Sequence, residues 1–379
     1  MNFSPQHFKR IVVKAGTNVL TTGNGQLDAQ AMAQIAGDIA SLHSQGKQLV
    51  LVTSGAIGCG MSLLGLKQRP REVAMQQACA AVGQGALMHA YQQHFSKHSI
   101  KIAQVLLTSD DFSEKARYLN LMHTLDTLLK MRTIPIINEN DVVSTCELAH
   151  EQKGNKPVVF SDNDWLSALV ASKMHADLLV LLTDVDGFYD QHPKAGNAKL
   201  IRTVERITPE MEEAAGKGSA LGRGGMRGKL GAAQLATKAG VWVAIANGKK
   251  KNILASVLSQ SEGTLFKPSS RLSGKEQWIA FASAPKGTVS INECARKVLL
   301  SNGASLLAVG VVSVSGTFSK GDVVEVKCGH SLLGRGKSNY SSSQLSSIAG
   351  KKKEAIVKQL GKAEEVIDRE NLVLTQTGE

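Results

Sequence analysis

The sequence contains no long apolar run. Its most hydrophobic stretches, residues 178–182 and 241–246, are far shorter than the ~20 residues a helix needs to cross a bilayer. The N-terminal MNFSPQHFKR has no apolar segment behind its charges, so no secretory leader is expected. The chain is therefore read as soluble and cytoplasmic, with no membrane partner. Cysteine is scarce: there are five, an odd number without CxxC spacing, which argues against a disulfide framework and against a zinc cluster. Cys59, Cys79, Cys146, Cys294 and Cys328 read instead as reduced, mostly structural thiols. No HExxH, GxSxG or paired Cys/His spacing occurs, and the ten histidines are scattered.

What is present is enough for several folded units. A chain of 379 residues, 42% hydrophobic, can supply two or three domains with their own cores. The formal charge of +12 fits nucleic acid, an acidic substrate or simply a soluble surface. Residues 1–265 hold 28 Lys and Arg against 22 Asp and Glu, and residues 266–379 hold 16 against 10. Each part thus carries net +6, and the shorter C-terminal part is the more basic.

Up to about residue 265 the chain alternates short apolar runs with longer amphipathic ones. RIVVK (10–14), QLVLVT (48–53), KIAQVLL (101–107), TIPIIN (133–138), DLLVLLTD (177–184) and VWVAIAN (241–247) read as strands. Because they are nearly all apolar, they suit a parallel sheet covered on both faces. Residues 28–45, 71–97, 114–131, 164–175 and 226–239 read as helices; in the first, Met32, Ile35, Ala36, Ile39 and Ala40 recur at three- and four-residue steps. This βαβ rhythm predicts a three-layer α/β/α sandwich over residues 1–265. KPSSRLSGKE breaks it, and residues 266–275 are read as a linker. Residues 276–355 read as a small β-rich domain, and 356–379 as a lysine-rich helix or tail.

Several strands empty into residues suited to anions. Lys14 ends the first strand ahead of a small-residue loop, where backbone N–H groups and one ammonium can converge on phosphate oxygens. Lysines beside strands are commonly just exposed, so the position alone is weak. QLVLV runs into Thr53, Ser54, Gly55, Ala56, Ile57 and Gly58, a turn whose glycines let backbone approach a ligand closely. TIPIIN runs into Glu139, Asn140 and Asp141, and DLLVLLT into Asp184, Val185 and Asp186. One acidic strand end is ordinary capping. Lys14, Ser54, Asp141 and Asp184 delivered to one rim are more than capping requires, since ligands of open α/β sheets gather at the carboxyl ends of strands.

Two further segments precede helices. SDNDW places Ser161, Asp162, Asn163 and Asp164 where one N-cap would suffice, leaving polar groups to grip an ammonium or carboxylate. GRGGMRGK (222–229) is not a Walker A loop: five residues separate Gly222 from Gly228-Lys229, and Leu230 stands where Ser or Thr should bind magnesium. Arg227 also breaks a GxGxxG pattern. What remains is a glycine loop with the cations Arg223, Arg227 and Lys229, suited to a polyphosphate.

In order and spacing, VVKAGTNVLT, VTSGAIG, AAVGQG, PIINENDVV, SDNDWLSALVA, LLTDVDGFY, GRGGMRGK and GTLF resemble the bacterial glutamate 5-kinases of the amino-acid kinase superfamily. The resemblance covers almost the whole chain, and residues 276–355 look like a PUA domain. It implies ATP-dependent phosphorylation of the γ-carboxylate of L-glutamate to L-glutamyl 5-phosphate, with ATP and Mg²⁺ as cofactors. Carried over by position, Lys14 and Lys229 contact the ATP phosphates and Asp164 organises the two lysines. Thr183, Asp184, Arg223, Gly224, Gly225, Met226, Arg227 and Gly228 surround the nucleotide with them. Ser54, Asp141 and Asn163 hold glutamate. No side chain is assigned as a metal ligand.

The resemblance further implies the first step of proline biosynthesis, feedback inhibition by proline, a homo-oligomer (dimer or tetramer), and glutamyl phosphate reductase as the downstream enzyme. Three departures stand out: KAGTN for the family's KLGTS, SDNDW for GDNDN, and GRGGMRGK for GTGGMSTK. The last removes hydroxyls near the nucleotide and adds two arginines. Two alternatives stay open. One is another acceptor on the same fold, such as aspartate, N-acetylglutamate, carbamate or a nucleoside monophosphate. The other is an RNA-binding protein acting through the PUA-like domain, whose Trp278, Phe281, Phe318 and Tyr340 give thin aromatic surface for base stacking.

Overall fold

The computed structural model describes residues 3–22, 26–108, 110–144, 163–191, 196–215, 225–268, 274–277, 279, 285–329 and 331–374. The chain divides into two compact units, Met1–Arg271 and Leu272–Glu379.

In the first unit the strands are β1 (Arg10–Ala15), β2 (Gln48–Thr53), β3 (Ile102–Leu107), β4 (Ile134–Glu139), β5 (Leu178–Thr183), β6 (Thr203–Val204), β7 (Trp242–Asn247) and β8 (Thr264–Phe266). Among the described residues they form one sheet in the order β3-β4-β2-β1-β5-β7-β8-β6. The six strands read from the sequence are the parallel body of this sheet. At the far edge β8 runs antiparallel to β7 and pairs in parallel with β6, so the sheet is mixed rather than purely parallel. These edge strands have three and two residues, too short to show a period in the sequence.

The helices are α1 (Thr17–Leu20), α2 (Ala29–Ser44), α3 (Ala56–Leu63), α4 (Val73–Ser96), α5 (Asp110–Ser113), α6 (Lys115–Lys130), α7 (Asn163–Lys173), α8 (Pro209–Ala214), α9 (Met226–Lys238) and α10 (Ile253–Leu258). Asp28 starts α2 by accepting from the amides of Gln30 and Ala31, both at 3.0 Å. Its apolar face, Met32, Ile35, Ala36 and Ile39, packs with Leu87 and Phe95 of α4 onto one phase of the strands: Ile11, Val13, Leu49, Leu51, Val180 and Leu182. The alternate phase, Val12, Val50, Val52, Leu179 and Leu181, is also buried, and α7 packs on β1 and β5 and against α9. Burial of both strand faces explains the all-apolar runs, each such side chain contributing about 1.5–3 kcal/mol.

One contact sets the rim beside β2. A Cβ on Gly83 of α4 would lie 2.0 Å from the Ala56 carbonyl oxygen, and one on Gly60 of α3 would lie 1.8 Å from that of Cys79. The two helix backbones therefore touch, fixing the start of α3 against the middle of α4. Gly55, which caps α3, has φ +108°, a conformation that a side chain resists.

In the second unit β9 (Gly287–Ile291), β10 (Val311–Gly316), β11 (Val323–Cys328), β12 (Ser331–Lys337) and β13 (Leu372–Leu374) form a mixed sheet in the order β10-β9-β11-β12-β13. Val289, Val324, Val326, Leu333, Leu345 and Ile348 build its core, and Ile356, Val366 and Ile367 from the last part of the chain join the same core. Cys59, Cys79, Cys294 and Cys328 are all free thiols, and Cys146 lies outside the described residues. Among the described residues no helix is long and apolar enough to cross a membrane.

Candidate active site

Parallel pairing brings the carboxyl ends of β4, β2, β1 and β5 to one edge of the sheet. Lys14 lies in β1 in the phase opposite Val13 and Ala15, which places its side chain on the side covered by α7 and α9. Its ammonium lies 2.6 Å from Oδ1 of Asp164, in the first turn of α7. Lys229, in the first turn of α9, donates to Oδ2 of the same carboxylate at 2.9 Å. Asp164 is fully buried, and the two lysines are only 5% and 7% exposed.

A strand and two helices from distant parts of the sequence thus converge on one carboxylate. Burial pushes the Asp164 carboxyl up, but the charges and hydrogen bonds of Lys14 and Lys229 outweigh this and hold it below the usual carboxylate range. Such a buried cluster is a weak source of stability, because desolvation offsets most of the attraction. Its chemical content is clearer: two ammonium groups held at fixed positions with net charge +1. The Lys14 ammonium also lies against the loop after β1, where a Cβ on Gly16 would be 3.1 Å from it.

Beside this cluster runs a row of amides. Asn163, which begins α7 and precedes Asp164, donates through Nδ2 to Ser54 Oγ at 2.9 Å and to Asn138 Oδ1 at 3.1 Å. Asn138, near the end of β4, donates through Nδ2 to Gln84 Oε1 of α4 at 3.0 Å. Beneath Ser54, the Thr53 hydroxyl meets the buried Tyr91 hydroxyl at 2.7 Å. Asp141 follows β4 and is 8% exposed; Glu139, also buried, accepts from the Ser144 hydroxyl.

Across β1 lies the opposite half of the rim. Thr183 Oγ1 donates to Asp184 Oδ1 at 3.1 Å, and Asn18 in α1 donates to Asp184 Oδ2 at 3.0 Å. Asp186 accepts from Asn247 Nδ2 at 2.9 Å and pairs with Lys250 at 3.1 Å; the Asn247 bond, with help from Lys250, keeps its carboxyl low. Gly225 caps α9, and Met226, the exposed Arg227 and Gly228 form its first turn with Lys229. Arg223, Gly224, Ser161 and Asp162 lie outside the described residues.

The amino acid kinase family profile matches residues 9–247, a span that includes Lys14, Asp164 and Lys229. This chain belongs to the amino acid kinase family. Its second unit matches the PUA domain over residues 287–360. A glutamate 5-kinase of Pelobacter propionicus is 44% identical over 374 residues, 97% of each chain. One of Geobacter sulfurreducens is also 44% identical over 374 residues, again 97% of each chain. One of Methanosarcina acetivorans is 40% identical over 376 residues, 96% of this chain and 95% of that one. Carbamate kinase from Giardia lamblia bound to AMP-PNP superposes with a TM-score of 0.51 at 15% identity, covering 69% of this chain and 99% of that one, which shows the fold.

In this amino acid kinase, sequence reading passes over Asn138 and Gln84. Asn138 had a usable signal, a polar residue near the end of an otherwise apolar strand that faces covered space. Gln84 lies within the AAVGQG motif, but only the packing of α4 brings it to the rim.

Proposed function

We propose that this chain transfers the γ-phosphoryl group of ATP to the γ-carboxylate of free L-glutamate, giving L-glutamyl 5-phosphate and ADP. The observation that carries this reading is the buried Asp164 bridging Lys14 at 2.6 Å and Lys229 at 2.9 Å, on a rim where an amide row stands to one side. Full-length relatives named glutamate 5-kinase, 40–44% identical, supply the acceptor.

A glutamate side chain has a pKa of about 4.3, so at about pH 7 it is already an ionised nucleophile and needs no general base. A carboxylate oxygen forms the new bond to Pγ, and the bond from Pγ to the β-phosphate bridging oxygen breaks with its electron pair leaving on ADP. No proton moves. The difficulty is repulsion between two anions, and Lys14 and Lys229 relieve it by placing positive charge where negative charge builds on the moving group. Asp164 keeps the two ammonium groups apart and aimed, and its negative charge offsets part of theirs inside the protein. Thr183, Asp184, the turn at Gly225–Lys229 and, with them, Arg223 and Gly224 hold the nucleotide. Ser54, Asn163 and Asp141 hold the amino-acid end of glutamate, with Asp141 facing its ammonium.

Magnesium enters as part of the nucleotide substrate. Both oxygens of Asp164 are taken by ammonium groups, and no group of three metal-ligating side chains occurs among the described residues. The ion would be carried by the phosphate oxygens of ATP, and no side chain is assigned to it.

The acyl phosphate product is labile, so a reductase that consumes it, glutamyl phosphate reductase, belongs to the same proposal. So do a cytoplasmic site of action, a homo-oligomer and inhibition by proline, the end product of that route. The test is ADP release with a panel of acceptors. Release should require L-glutamate; equal or faster release with aspartate, N-acetylglutamate, carbamate or a nucleoside monophosphate would reassign the acceptor.

A further inference from the structure

The amide row ends in two buried polar atoms that have no hydrogen-bond partner among the described residues: Gln84 Nε2 at one end and Asn163 Oδ1 at the other. The two are mechanically linked. A primary amide has one donor end and one acceptor end. Because Gln84 turns its oxygen to Asn138, Asn138 must turn its own oxygen to Asn163, and Asn163 is left with its oxygen facing away from the row. If Gln84 turned its nitrogen inward, every amide would reverse and Asn163 would present NH₂ instead. Ser54 tolerates either state, since a hydroxyl can accept from Asn163 or donate to it. The choice is therefore made at Gln84 and read out at Asn163.

We propose that Gln84 is a positioning residue that fixes the polarity of this row so that Asn163 offers a carbonyl oxygen to the α-ammonium of glutamate. The inference rests on the glutamate reading above and adds a specificity element to it. An ammonium carries three donors and no acceptor, so the reversed row would set a donor against a cation. A buried acceptor without a partner is unfavourable until a ligand supplies the donor. The fold holds Gln84 firmly for this task. Its neighbour Gly83 is where α4 touches the Ala56 carbonyl, so the helix cannot shift without separating from the start of α3.

Glutamate and lysine at position 84 give opposite outcomes under this proposal and under plain electrostatics. In Gln84→Glu the side chain can only accept from Asn138, which keeps the row as it is. In Gln84→Lys it can only donate, which reverses the row. Charge alone would favour the lysine variant, because the substrate is an anion. Steady-state kinetics of the full-length variants should show KM for L-glutamate in Q84K exceeding that in Q84E by roughly tenfold or more, the scale of one hydrogen bond to a charged group. KM for ATP should move less than KM for glutamate in both. If Q84K does not fold by circular dichroism, Gln84→Met takes its place and should also bind glutamate more weakly than Q84E. An active wild type in which Q84K or Q84M binds glutamate as tightly as Q84E overturns the role of Gln84 alone. A wild type without glutamate-dependent ADP formation would instead remove the reading beneath it.

Discussion

The ammonium of Lys14 lies 2.6 Å from Asp164 Oδ1, which ties the end of β1 to the first turn of α7. Lys229 holds the other oxygen from α9 at 2.9 Å, so one buried carboxylate sets the spacing of both cations.

Lys229→Ala should lower kcat by roughly 10²–10³-fold, the scale of losing one preorganised charge contact in the transition state. Asp164 keeps Lys14 as a partner, so the fold should survive. Circular dichroism with a single-turnover assay checks both; near-normal turnover in a folded variant would remove Lys229 from the chemistry.

Asp164→Asn should cost stability as well as rate, because it leaves two buried ammonium groups without their shared anion. Breaking a buried pair in this way typically costs about 3–5 kcal/mol. The carboxyl of Asp164 is held below its ordinary range, so its contribution is present above the unfolded value of about 3.9 and is lost as pH falls through the lower folded value. Wild type and Asp164→Asn should therefore converge in urea midpoint on acidification below about pH 4.

Asp141→Ala should act mainly on glutamate. If the buried carboxylate faces the substrate ammonium, KM for glutamate rises by roughly tenfold or more while KM for ATP changes little. Unchanged glutamate affinity would take Asp141 out of the site.

Lys173, at the other end of α7, is 4% exposed, its Nζ has no hydrogen-bond partner among the described residues, and it sits 5.6 Å from the centroid of the Tyr118 ring. Burial pushes its pKa down to about 7. For a lysine this shift is a penalty: the unfolded chain holds the proton up to about pH 10.4, so stability rises with pH between about 7 and 10.4. Lys173→Met should raise stability at pH 6–7 by several kcal/mol, on the order of 4, with the gain shrinking toward pH 10. Denaturant melts of both proteins across that range check it; a gain independent of pH would mean that the amine is not the cause.

Gly83→Ala should destabilise by about 3 kcal/mol or more, since its Cβ would meet the Ala56 carbonyl oxygen at 2.0 Å. Thermal melts measure the loss.

The parallel body of the sheet was legible because both faces of β1, β2, β4, β5 and β7 are buried and the runs are apolar throughout. Helices α2, α4, α6, α7 and α9 were legible from apolar spacing, within two residues at each end. Strands β6 and β8 and helix α10 were not, being too short to show a period. In the site, Lys14, Ser54, Asn163, Asp164 and Lys229 could be picked out because each sits at a strand end or a helix start. That Asp164 bridges the two lysines is a matter of three-dimensional approach, and so is the turn of Gln84 toward Asn138. Neither leaves a trace in local spacing.

The most direct measurement follows oxygen. The enzyme is given ATP and L-glutamate carrying ¹⁸O in both γ-carboxylate oxygens, and the phosphate released as the product cyclises is examined by ³¹P NMR. Cyclisation breaks the C–O bond of the acyl phosphate, so the phosphate keeps the oxygen that attacked it. If the carboxylate is the nucleophile, each released phosphate carries one ¹⁸O. Unlabelled phosphate alone would mean that water, not the substrate carboxylate, had taken the phosphoryl group, and would contradict the account.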